Sequence, residues 1–471
     1  MFFPEISLFC GALLLLMLDV FFGKKVKNFF YITHLFALIV TAFAAYTMLP
    51  EFFVAKSLFD NMFIITPFTS FAKVFLILLL AIVITLSLGF VEQIKNISAE
   101  FLALLLISAS GMMVMISAND FLVLYLALEL QSLALYLLAA LKRDCPKSSE
   151  AGVKYFVLGA VASGILLFGI AMIYGFSGTT NFSSLLQLYH QASAISVGVV
   201  FGFLLVIVAI FFKISAAPFH AWAPDVYEGS KPVVTTFFAV VAKFASVIVL
   251  IRLVSEVIID WVGMNHVFAF VALTSLTIGS LGAIHQSNLK RLLAYSSIGH
   301  VGFILLGLAS FNNVGTRAAV LYIIIYAILS LGNFGFLSLI KDDKNGEAFA
   351  IKNLSGLAKS NPTVALCLAT LMFSTAGIPP LAGFFAKFYV LIAAVNNGMI
   401  YATIAAILFS VISAFYYLRI VKIIYFDEPQ THSLHLLEAS NVKAIVITSA
   451  LANLGFILIL TPLVNLISNL L

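Results

Sequence analysis

The sequence predicts an all-α polytopic membrane protein of about 14 transmembrane helices, and three observations predict it. Of its 471 residues, 63% are hydrophobic and only 10% charged, with mean hydropathy +1.14; a soluble domain would carry roughly 25% charge. Apolar runs of about 20 residues, enough to cross a bilayer as helices, follow one another nearly end to end. Their apolar character is continuous, whereas a β-barrel would alternate polar and apolar residues at every second position.

In chain order the predicted spans lie near 4–22, 29–49, 68–90, 100–117, 120–141, 150–174, 195–213, 233–251, 266–284, 290–308, 316–340, 362–395, 399–418 and 443–468. Met1–Phe22 has neither a basic start nor a small-residue cleavage site, so it reads as the first span and not as a cleaved signal. Loops are short and leave no room for a soluble domain; the longest polar connections are Lys341–Asn361 and Asp427–Asn441. Thr179–His190 is weakly amphipathic; a plain loop is the expectation, with a segment lying on the outer surface as the alternative.

Spans seven and twelve are abnormal. The seventh runs on as FFKISAAPFHAWAPDVYEGSKP, with Pro218 five positions after Lys213, and the twelfth contains STAGIPPLAGFFAKF, with Pro379 and Pro380 ahead of Lys387. Proline removes a backbone donor and clashes with the preceding turn, so each helix is expected to break. A break in lipid is tolerated only against protein or a wet cavity. A simple proline kink is the plainer reading of either site alone. The two breaks fall five helices apart, and an odd number of helices inverts orientation. That spacing predicts two inverted five-helix repeats, over residues 100–255 (helices four to eight) and 266–425 (helices nine to thirteen). Three N-terminal helices (1–99) precede them and a C-terminal helix (443–468) follows.

The net charge of +5 matters less than its placement. Sorting Lys and Arg by alternate connections puts Lys24, Lys25, Lys27, Lys95, Lys142, Arg143, Lys147, Lys231, Lys290, Arg291, Lys341, Lys344, Lys352, Lys359, Arg419, Lys422 and Lys443 on one side. Only Lys56, Lys73, Arg252 and Arg317 fall on the other. The positive-inside rule places the first set in the cytoplasm and both termini outside. Basic residues spread thinly over loops imply no nucleic-acid partner. Cys10, Cys145 and Cys367 lie far apart without a CxxC, so no zinc or iron–sulfur motif is expected in this chain.

Ionisable residues inside spans are the candidates for function. Glu129 is the sole charge between Phe121 and Leu141, and Lys213, Lys243 and Lys387 are each isolated in an apolar run. Such a residue near the bilayer centre costs from about 2.5 to more than 10 kcal/mol, and by default marks an ion or proton path. Burial disfavours the charged form of Lys213, and a nearby carboxylate favours it again, with Glu129 as the candidate partner. A static buried ion pair that fixes helix packing is the other reading. Lys243 lies too deep to snorkel to the interface. Glu150 and Lys154, four apart at the start of span six, are either a surface helix pair or a cytoplasmic mouth for protons. His220 lies in the seventh-span break and His300 mid-span in AYSSIGHVGFILLG; either could exchange protons near neutral pH or simply be a satisfied buried residue. His285 carries little functional expectation. No second ligand lies at i+3 or i+4 of these histidines, so no metal site is expected.

Four ordered motifs carry a resemblance. LYLALELQSLALYLLAAL, K-x-x-x-x-P-F-H-A-W-A-P-D-V-Y-E-G, NLKRLLAYSSIGHVGF and AGIPPLAGFFAKF together resemble the antiporter-like membrane subunits of proton-pumping NADH:quinone oxidoreductase, respiratory complex I. GSKPVVTTFFAVVAK, fourteen spans and a lysine in helix twelve look most like the N branch of that family. The resemblance implies a membrane-arm subunit with one proton channel. It matches Glu129, Lys213, Lys243 and Lys387 to the family's proton-path positions, and places Glu150, Lys154 and His220 on family positions too. It implies no cofactor in this chain, with FMN, iron–sulfur clusters and quinone in partner subunits. Helix eleven departs from the larger relatives, offering Tyr322, Tyr326 and Ser330 where they often place His or Lys. The implied setting is a bacterial inner membrane among other membrane-arm subunits. A subunit of a multi-subunit sodium/proton antiporter and a purely structural scaffold are the alternatives.

Overall fold

The structure, a computed structural model, describes residues 2–23, 28–90, 97–142, 145–191, 196–257, 263–341, 347–429, 434 and 436–471. Lys24, Lys25, Lys27, Lys95, Arg143 and Lys344, which weigh in the charge asymmetry, lie outside the described residues.

Helices follow the apolar runs closely. α1 (Phe3–Phe22), α2 (Phe29–Met48), α3 (Pro67–Ser87), α4 (Ser98–Ser117), α5 (Phe121–Ala139) and α6 (Pro146–Ser177) come first. Next are α7 (Phe182–Gln191), α8 (Val197–Lys213), α9 (Trp222–Gly229) and α10 (Pro232–Glu256). The last seven are α11 (Met264–Ile284), α12 (Leu289–Leu308), α13 (Asn313–Leu337), α14 (Pro362–Ala376), α15 (Ala382–Asn396), α16 (Ile400–Phe426) and α17 (Ser440–Leu470). Among the described residues 12 helices are long and apolar enough to cross a membrane, and α8, α14 and α15 are shorter apolar helices. Among the described residues α8 corresponds to the interrupted span seven, and α14 and α15 to the two halves of span twelve.

Helix starts have local causes. Thr66 accepts from the Thr69 amide while the Thr69 hydroxyl accepts from Thr66, a capping box ahead of Pro67 at the first helical position. Asp120 caps α5 through the amides of Leu122 and Val123, and Asn288 and Asn312 cap α12 and α13.

Two connections differ from expectation. Thr179–His190 is not a plain loop, because Phe182–Gln191 forms α7 with Phe182 and Leu185 buried on one face. Lys56–Leu58 (β1) and Phe63–Ile65 (β2) pair as an antiparallel hairpin ahead of α3. Its turn holds Phe59, Asp60 and Asn61 at positive φ, and the Asn61 carbonyl accepts from the side-chain amides of Asn119 and Asn181.

The chain divides into two compact units, Met1–Ile214 with Val241–Ile258, and Ser215–Val240 with Ile259–Leu471. The first crossover falls at the break of span seven and the second inside α10, where Phe238–Ala242 adopts a π-helical turn. Within the first unit α6 and α8 cross closely: a Cβ on Gly169 would stand 2.7 Å from the Gly202 carbonyl oxygen, and one on Gly202 would stand as close to that of Gly169. Within the second unit α16 presents Tyr401, Ile404, Leu408, Val411, Phe415 and Leu418 outward, an apolar stripe at helical spacing suited to lipid. By contrast α10 and α13 are almost wholly enclosed by protein.

Candidate functional site

Lys213 ends α8 because Pro218 cannot supply an amide to the Ile214 carbonyl and its ring would clash there. The backbone freed beyond it, in the second unit, is met by α11: the Ala217 amide donates to Ser275 Oγ at 2.8 Å and its carbonyl accepts from Thr274 Oγ1 at 3.0 Å. The break is therefore sealed by protein hydroxyls. His220 lies in this segment, half-buried, at the entrance to α9.

In the first unit Lys213 is buried and its Nζ donates to Ser132 Oγ at 2.7 Å and Tyr136 Oη at 3.3 Å, both on α5. Ser132 is itself tied to its own helix, donating to the Leu128 carbonyl. The expected contact with Glu129 is not made. Glu129 Oε1 is buried without a hydrogen-bond partner. The reason is register: Glu129, Ser132 and Tyr136 share one face of α5, and the amine docks about one to two turns further along than the carboxylate.

Lys243, 1% exposed, is the first residue after the π turn of α10. Such turns inside α-helices recur at functional sites. Beside it Phe244 packs on Phe75 of α3, ring centroids 5.0 Å apart. Glu150 and Lys154 do pair, at 2.7 Å, but their side chains are 60% and 41% exposed. That geometry suits a surface helix pair, and an exposed pair is worth little to stability.

In the second unit Gly377 closes α14 with φ +91°, its amide and that of Ile378 bonding back to Phe373 and Ser374. The Ala376 carbonyl is left over, and Lys387 Nζ donates to it at 2.7 Å and to Ser410 Oγ of α16 at 3.0 Å. A Cβ on Gly377 would lie 3.2 Å from the same Nζ, so glycine gives the turn its left-handed backbone and the amine its room. The Phe303 ring faces Lys387 Nζ at 5.3 Å and stacks on Tyr322 at 5.9 Å.

His300 is buried in a hydroxyl cluster. Its Nδ1 meets Tyr322 Oη at 2.8 Å, its Nε2 meets Tyr417 Oη at 3.4 Å, and Tyr417 meets Ser296 at 2.5 Å. His285 is exposed and bonds only within its own helix.

Several polar residues were not legible as site residues. Glu5 and Lys73 form a buried ion pair at 2.5 Å between α1 and α3, so Lys73 is an internal charge and not a loop charge. Arg252 is internal too: it is buried and donates to the Ile116 and Ala118 carbonyls. Lys290 and Arg291 clamp α9: Lys290 Nζ donates to the Ser230 carbonyl at 2.9 Å and the Glu228 carbonyl at 3.4 Å, while Arg291 pairs with Asp225 and Glu228. Lys290→Met leaves those helix-end carbonyls without their donor. We expect thermal unfolding in detergent to report a loss of about 1–3 kcal/mol.

Residues 118–413 match the family model described as NADH:quinone oxidoreductase/Mrp antiporter, transmembrane. The chain is 42% identical over 470 residues to NADH-quinone oxidoreductase subunit N of Paramagnetospirillum magneticum, covering 98% of this chain and 95% of that protein. It is 43% identical over 427 residues to the subunit N of Pelagibacter ubique, covering 90% and 89%. Among solved structures it is similar to a chain of respiratory complex I from Thermus thermophilus with bound aureothin, with TM-score 0.83, 26% identity and 98% of both chains covered. Its likeness to a chain of the Mrp complex from a Dietzia species, TM-score 0.82 at 21% identity over 99% and 97% of the chains, concerns the fold alone. Sequence and fold agree, and this chain belongs to the NADH:quinone oxidoreductase/Mrp antiporter transmembrane family.

Proposed function

We propose that this chain is a proton-translocating membrane-arm subunit of a respiratory NADH (or other donor):quinone oxidoreductase. It sits among other membrane-arm subunits in a bacterial inner membrane, with both termini on the outer face. Flavin, iron–sulfur clusters and quinone belong to partner subunits, and this chain moves protons and not electrons.

The observation that carries the proposal is the way the buried amines are held. Lys213 and Lys387 each lie at a helix break, and each is bound by neutral oxygens instead of a carboxylate. A hydroxyl can donate or accept, so Tyr136 and Ser410 can serve either an ammonium or a neutral amine, while Ser132, whose proton goes to the Leu128 carbonyl, accepts. A static ion pair would hold only the charged form. Glu129, near Lys213 but not bonded to it, supplies a charge whose influence changes with small displacements. In this scheme protons enter toward Lys213 and Lys243, pass to Lys387 and leave outward. His220, His300, Glu150 and Lys154 are secondary candidates. The two broken helices support a pair of inverted repeats, helices four to eight and nine to thirteen.

Mass spectrometry of what co-purifies with the tagged chain in mild detergent tests the proposal. Iron–sulfur and quinone-site subunits are expected in stoichiometric yield. Recovery with antiporter subunits alone would move the function to sodium/proton exchange.

A further inference from the structure

We propose that a groove at one end of the second unit, between α13, α15 and α17, binds an anionic phospholipid. Its phosphate would lie on Arg317 and an acyl chain along the apolar wall. The groove encloses about 240 Å³ and is lined by Val314 and Arg317 of α13, Tyr389 and Ile392 of α15, and Val464 and Ser468 of α17.

Three observations select that occupant. First, Arg317 is the one charged residue in the lining, and its Nε is buried without a hydrogen-bond partner. Its Nη2 reaches only the Ser468 carbonyl, at 3.5 Å, the outer limit of a hydrogen bond. Second, α13, α15 and α17 contain no Asp or Glu, so these helices supply no side-chain carboxylate. A planar guanidinium with free donors matches a phosphate, which it can grip through two parallel bonds. Third, the polarity runs in the direction a lipid needs. Arg317 lies four residues from the start of α13, about 6 Å along the axis, and Ser468 lies two residues before the end of α17. The charge therefore sits at the helix-end layer, where headgroups lie, and the wall continues inward through Leu321 and Tyr389. A cation without a countercharge on these walls favours a lipid of net negative charge over a zwitterionic one.

The test uses the protein as purified from its membrane, with the subunits that accompany it. Phosphatidylglycerol bearing a photoreactive acyl chain is added, and labelled peptides are mapped. Label is expected on Tyr389, Ile392 or Val464, displaced by unlabelled phosphatidylglycerol but not by phosphatidylcholine. In Arg317→Gln labelling should fall roughly tenfold, the size set by losing one charge-assisted contact, with Arg317→Lys in between. Equal labelling in Arg317→Gln overturns the proposal. So does absence of label from these residues while other surfaces are labelled, which leaves Arg317 as a cap on α17 carbonyls or a partner for a neighbouring subunit's carboxylate. Displacement by phosphatidylcholine as effective as by phosphatidylglycerol overturns the anionic selectivity. Should the Gln variant fail to assemble, the competition on the unmodified protein decides alone.

Discussion

Lys387→Arg should cut proton transfer through this chain steeply while leaving it assembled. Lys387 holds together the broken span, donating to the Ala376 carbonyl that the proline break frees and to Ser410 on the next helix. An arginine keeps the positive charge and offers more donors, but it stays protonated at every accessible pH. It can therefore replace the structural role of the amine and not a role that requires releasing a proton. We expect transfer through the chain to fall about a hundredfold, the low end of what a positioned proton-transfer group contributes. Lys387→Ala should fail in both respects, with a further loss of about 1–3 kcal/mol from the orphaned carbonyl. Proton uptake by reconstituted vesicles, scored against quinone reduced, measures the first effect; thermal unfolding measures the second. If Lys387→Arg pumps normally, the amine is a structural strut and the scaffold reading stands.

Glu129→Gln should lower transfer comparably, about a hundredfold, with little change in stability. The carboxylate oxygen Oε1 accepts no hydrogen bond, and Lys213 is held by Ser132 and Tyr136 instead. Substitution by the neutral isostere removes a charge and no observed contact. If Glu129 and Lys213 formed a static buried pair, removing one partner would strand the other and cost about 3–5 kcal/mol. The two readings thus differ in which measurement moves. Loss of transfer with unchanged unfolding supports electrostatic control of Lys213. A large drop in stability with transfer intact per folded molecule would contradict it.

The helices were legible because burial in lipid leaves one strong signal, a long apolar run, and the described crossings begin and end close to the predicted ones. The breaks were legible because proline acts through local covalent geometry. α7 was missed because a ten-residue amphipathic segment looks like a loop until something packs on Phe182 and Leu185. The hydroxyl ligands were missed for a different reason. A serine in an apolar helix commonly bonds back to its own i−4 carbonyl, as Ser132 does to Leu128, and that pattern looks the same whether or not a lysine also reaches it.

Local sequence thus carried the membrane setting, the apolar spans, the two interruptions and the isolated ionisable residues. These follow from local composition and from the cost of charge in hydrocarbon, which no packing arrangement removes. What each charge touches came from the packing of the helices. It placed Lys213 on hydroxyls and not on Glu129, seated Lys387 on the carbonyl freed by its own break, and turned Lys73, Arg252, Lys290 and Arg291 from loop charges into internal fastenings. A shift of one helical turn along α5 chooses between a carboxylate and a hydroxyl for the same amine, and that register is set by the packing of whole helices, which no single segment encodes.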